Sequence, residues 1–73
     1  MQLLKEVDKA VDRAGELGDQ WVGTLIGRML DAERDNVLEA VKRDDLELAS
    51  VMVLNLTKTC DYAEKQLMEN EGL

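Results

Sequence analysis

The side chains able to do chemistry are few, and their spacing limits what they can do. There is one cysteine, Cys60, and no histidine. Without an imidazole to take its proton, and placed on an apolar stripe, Cys60 is expected to be a buried, inert thiol rather than a nucleophile. The lack of histidine also argues against a typical zinc site. Asp31, Glu33 and Asp35 alternate like the start of a calcium loop, but Asn36 stands where the turn glycine is needed and Lys42 where the bidentate glutamate belongs. Carboxylates three residues apart occur at Glu16/Asp19, Asp44/Glu47 and Asp61/Glu64. On helices such pairs could share a Mg²⁺, provided facing helices supplied them within a cleft. Two of the three lie at expected helix starts, where acids serve as caps or favour the dipole. No catalytic, cofactor-binding or metal-ligating residue is therefore assigned, and no enzyme is expected.

Size and charge narrow the rest. The chain has 73 residues with a net charge of −7, enough for one small domain with a modest core. A single cysteine excludes an intrachain disulfide, so by elimination self-association is the expected staple. Residues 1–43 carry 7 basic and 9 acidic side chains, and residues 44–73 carry 2 and 7. The overall sign opposes nucleic-acid phosphates and anionic membranes, while a basic partner would be drawn to the C-terminal half. No segment reaches the length of apolar chain a membrane span needs. The N-terminus lacks the pattern of a signal peptide, so a cytoplasmic location is expected.

Proline is absent and four of the five glycines fall between Gly15 and Gly27, which predicts an all-α chain. A first, short helix is expected over 2–16, with Val7, Ala10, Val11 and Ala14 on one face together with Leu3 and Leu4, ended by Gly15 and Gly18. A second is expected over 19–43, capped by Asp19 and carrying Trp21, Val22, Leu25, Ile26, Met29 and Leu30, then Val37, Ala40 and Val41. Glu33 falls on its apolar side, and Asn36 with Glu39 resembles a capping box, so a kink near Asp35 is the alternative to one continuous helix. Asp44 with Glu47 is a second capping-box pattern and predicts a third helix over 45–70. The short connection makes helices two and three antiparallel neighbours.

The third helix has the clearest signal. Leu46, Ala49, Val53, Leu56, Cys60, Ala63 and Leu67 recur at steps of three and four, which puts all seven on one stripe. Leu48, Val51, Met52 and Leu54 are also apolar, so 46–56 is apolar nearly all round. One small core cannot cover both sides. A helical bundle completed by dimerisation is expected, with Trp21, Leu48, Val51, Met52 and Leu54 as the self- or partner interface. The competing local reading is a strand over Ser50–Thr57 paired with Trp21–Ile26. Gly23 and Gly27, four apart, mark either close approach of another helix or tolerated surface glycines. Trp21 is expected to anchor the core with its N–H reaching the edge.

Three resemblances follow from these motifs. Trp21-Val22-Gly23, with Tyr62 further on, resembles the small secreted helical hairpins with a Trp-x-Gly turn exported by type VII secretion. Gln66 stands where that family carries an acidic residue four positions after the tyrosine. The acidity and apolar periodicity are similar to those of the plasmid copy-number helical hairpins, which implies a four-helix dimer and binding to paired RNA loops. Lys5, Lys9 and Arg13 at i, i+4 and i+8 would be the basic stripe for that, although Glu6, Asp8, Asp12 and Glu16 are interleaved with them. The paired carboxylates resemble those of Mg²⁺-dependent all-α nucleotide pyrophosphatases. The favoured function is a small acidic regulator, inhibitor or adaptor working through protein contacts, a profile that fits phage and plasmid accessory proteins. A homodimer and a further protein partner are expected. The acidic partner surface would comprise Asp44, Asp45, Glu47, Asp61 and Glu64.

Overall fold

In the computed structural model, residues 2–71 are described, with side chains described for residues 5–69. Three α-helices form: α1 over Gln2–Gln20, α2 over Leu25–Lys42 and α3 over Leu46–Glu71. No strand occurs among the described residues, which removes the strand alternative for Ser50–Thr57. The two connections are three or four residues long, so the chain runs up, down and up. Grooves on the surface agree with that order. Lys9 and Ala10 share one with Val53 and Leu54, and Gln20 shares another with Leu67 and Met68.

The first helix is not short. Gly15 and Gly18 were expected to end it, yet it continues to Gln20. The reason is Leu17, which extends the spacing of Val7, Ala10 and Ala14 and is buried with them. Burying a leucine stabilises by about 1.5–3 kcal/mol, which offsets the combined cost of about 2 kcal/mol for two glycines in a helix. The expected side chains of Leu3 and Leu4 lie outside the described residues.

The chain then turns over Trp21–Thr24, so α2 begins six residues later than expected, and Asp19 is not its cap. Thr24 is, with extended backbone (φ −107°, ψ 166°), and its Oγ1 accepts the Gly27 N–H at 3.1 Å. The α2 helix then runs unbroken past Asp35 and Asn36, so neither starts a new helix.

The α2–α3 connection uses both aspartates differently from expectation. Asp44 has φ 58°, the left-handed conformation that ends many helices. Its N–H donates to the Val41 carbonyl and that of Asp45 to the Ala40 carbonyl, both at 3.0 Å, which closes a Schellman turn. Asp45, not Asp44, then caps α3, its Oδ1 accepting the Leu48 N–H at 3.1 Å. Glu47 thus falls one position short of a capping-box partner. A non-glycine residue in the left-handed region is strained. Asp44→Gly should therefore raise the unfolding free energy by about 0.5–1 kcal/mol, read as a rise of several degrees in Tm. A fall in Tm would contradict this assignment.

The core is where the three apolar faces meet. Leu30 and Val37 of α2 and Leu56 and Cys60 of α3 are its largest fully buried side chains. Val7, Ala10, Ala14 and Leu17 close it from α1, and Val53 and Ala63 extend it along α3. Of the predicted α3 stripe, the five inner members are buried, Leu67 is half-buried and Leu46 is exposed at the helix start. The inner face of α3 is thus satisfied within one chain.

Candidate interaction surface

The residues expected to share an interface divide into two groups. Leu48, Val51 and Leu54 point outward from the first half of α3, Val51 being 52% and Leu54 55% exposed. Met52 and Trp21 instead pack against the core as half-buried side chains. Trp21 also sits in the α1–α2 turn, at the far end of α2 from the start of α3. Eighteen helical residues separate those ends by about 27 Å. The outer face of α3 is therefore a patch of its own. Alongside it lies a groove of about 600 Å³ between α1 and α3, floored by Ala10, Val53 and Leu54 and edged by Lys9, Arg13 and Thr57.

Trp21 does not bring its N–H to the surface. Its Nε1 is buried without a hydrogen-bond partner among the described residues. The Trp21 carbonyl accepts both the Thr24 N–H at 3.1 Å and the Thr24 hydroxyl at 2.6 Å. Around it, the apolar side chains of Val22 and Leu25 are strongly exposed, at 75% and 72%. Reading a helix from Asp19 had placed both on a buried face. The sequence signal for the later start is Gly23-Thr24, a glycine fit for a left-handed position (φ 80°) followed by an N-cap residue.

The five acidic candidates are also divided. Asp44 and Asp45 form the α2–α3 turn and Glu47 lies in the first turn of α3. Asp61 and Glu64 lie about 21 Å or more further along that helix, where both grip Arg13 of α1. The Arg13 guanidinium donates to Glu64 through Nε at 2.9 Å and Nη2 at 2.7 Å, and to Asp61 through Nη2 at 2.7 Å. These bonds hold the Glu64 carboxyl below the usual range and push the Arg13 pKa up. The Lys5–Lys9–Arg13 stripe is thereby broken, because its third member is occupied within the chain.

This fork ties α1 to α3 at the edge of the core, although its exposure to solvent limits its strength. Replacing Arg13 with Met should lower stability by about 1 kcal/mol at neutral pH. Because the folded Glu64 carboxyl titrates below its unfolded value, the contribution is complete above the usual glutamate value of about 4.3. It is lost as pH falls below that value. The difference between wild type and Arg13→Met, measured by urea unfolding, should shrink on acidification. A difference that grows in acid would contradict the pairing.

The remaining chemical candidates are placed as follows. Asp31, Glu33 and Asp35 lie within continuous α2, which leaves no loop to wrap a cation. Among the described residues, no three acidic or cysteine side chains gather as metal ligands do. Cys60 is fully buried, and burial pushes its thiol pKa up against the opposing influence of the Arg13 charge. Glu33 is itself turned inward, as its place on the apolar side of α2 implied, with Oε2 buried and unpaired among the described residues. Trp21-Val22-Gly23 does occupy a helix–helix turn, but the hairpin so formed packs against a third helix, and Tyr62 is exposed midway along it. No helix of the described residues is long and apolar enough to cross a membrane. Comparison with protein families, curated proteins and solved structures finds no match.

Proposed function

We propose that this protein is a small acidic binding module without catalytic activity, which acts as a regulator, inhibitor or adaptor through protein contacts. Its outer α3 face joins two copies into a larger helical bundle. One observation carries the proposal. Val51 and Leu54 are more than half exposed on a helix whose inner face is already packed within the chain. Large apolar side chains grouped on one exposed face mark an interaction site more often than an isolated exposed leucine does. The dimer leaves the acidic α2–α3 turn, with Asp44 and Asp45, available to a basic partner protein.

The test is the solution mass by light scattering over a range of concentrations, for wild type and for the double variant Val51→Glu/Leu54→Glu. Both positions face outward, so the variant should keep its helical content. Wild type should approach twice the chain mass of 8.2 kDa, and the variant should remain monomeric. A wild type that stays monomeric throughout, or a variant that keeps the dimer mass, defeats the self-association. An Mg²⁺-dependent nucleotide hydrolysis by the purified protein would defeat the non-catalytic reading.

A further inference from the structure

The outer face of α3 carries a short pattern that reads alike from both directions. Glu47, Val51, Leu54 and Lys58 follow one another at steps of four, three and four. On a helix these steps keep all four on one seam, the spacing with which two helices pack along each other. All four are exposed. Neither Glu47 nor Lys58 has an ion-pair partner among the described residues.

We infer that the partner for this seam is a second copy of the same chain, packed antiparallel about a two-fold axis between Met52 and Val53. This rests on the self-association proposed above and fixes its geometry. In an antiparallel pair each residue lies opposite the one the same distance from the axis on the other helix. Glu47 then faces Lys58 of the second copy, Val51 faces Leu54, and the two-fold repeats both contacts. Two apolar layers are closed at each end by an opposite-charge pair. A parallel pair on the same seam sets Glu47 against Glu47 and Lys58 against Lys58, so charge selects the antiparallel arrangement. The same register brings the α2–α3 turn of one copy toward Asp61 of the other, where Arg13 already holds that carboxylate. Glu47 thereby belongs to the self-interface, and only Asp44 and Asp45 of its acidic neighbours remain for another partner. With four residues per seam, the dimer is weak and concentration-dependent.

The experiment compares the dimer dissociation constants of wild type, Glu47→Lys, Lys58→Glu and the double exchange Glu47→Lys/Lys58→Glu by sedimentation equilibrium. Circular dichroism confirms folding, which these exposed positions should not disturb. Each single variant turns two attractive contacts into repulsive ones. It should raise the dissociation constant by about tenfold or more, and the double exchange should restore it. Glu47→Lys is the sharper arm. It reduces the net charge from −7 to −5, so a general charge effect would tighten association where this pairing weakens it. A dimer that Val51→Glu/Leu54→Glu disrupts but the single charge variants leave unchanged overturns the antiparallel pairing and spares the self-association. A wild type monomeric at all concentrations overturns both.

Discussion

Leu30→Ala is expected to lower the unfolding free energy by about 3–5 kcal/mol. A 73-residue domain typically has only about 4–11 kcal/mol in all, so the variant should be partly unfolded near room temperature. The size of the effect follows from position. Leu30 is wholly inaccessible to solvent and is one of the two largest such side chains, the other being Leu56. It is surrounded by α1 and α3, so the space left by three carbons cannot be filled by the movement of a free surface. The core it belongs to includes four small residues, Ala10, Ala14, Cys60 and Ala63, which cannot reach into a void. Urea unfolding at fixed protein concentration would measure the loss. Leu38→Ala, at an exposed position of the same helix, should cost less than about 1 kcal/mol. Equal effects at the two positions would contradict the described core.

The second large effect is expected at Gly27, where adding one methyl group should cost about 2–4 kcal/mol. A Cβ there would overlap the Trp21 carbonyl oxygen and stand 3.0 Å from its carbon. The obstacle is backbone, so no side-chain rotation relieves it. The turn would have to open, and with it would go the hydrogen bonds from the Gly27 N–H to Thr24 and from the Thr24 hydroxyl to Trp21. The loss of the cap adds to the steric cost. Gly15→Ala is the control, because a Cβ at Gly15 meets nothing within 4 Å. That change should stabilise by about 0.5–1 kcal/mol through helix propensity. Opposite signs for the same substitution, read as shifts in Tm, would distinguish close packing from mere helix weakening. A destabilisation below about 1 kcal/mol at Gly27 would show that the turn yields easily. The spacing of Gly23 and Gly27 thus has an origin different from both expectations. Gly27 accommodates the chain's own turn, not a second helix, and Gly23 serves a left-handed backbone position within that turn.

Several features were determined by the sequence by itself. The alternating steps of three and four from Ala49 to Ala63 fixed the buried face of α3, because a helix of that length shows a clear period and an apolar stripe must be buried. The same argument fixed the Val7–Ala14 face of α1 and the helical class of the whole chain. The two-sided apolar character of 46–56 was also legible, and the outward direction of Val51 and Leu54 follows from the same period.

The tertiary structure decided where helices stop and what each polar group meets. Gly15 and Gly18 looked like terminators because local propensity disfavours glycine in a helix. Burial of Leu17 overrode that preference, and burial depends on which helices lie nearby. Moving the turn to Trp21–Thr24 exposed Val22 and Leu25, which an earlier helix start would have turned inward. Asp44 and Glu47 matched a capping pattern, but a Schellman turn took Asp44 and passed the cap to Asp45, a choice between two overlapping local signals. Arg13 joined Asp61 and Glu64 across about fifty residues, a contact no spacing along one helix could reveal. It converted an apparent basic stripe and part of an acidic surface into an internal tie, because opposite charges from different helices meet only once the helices are packed.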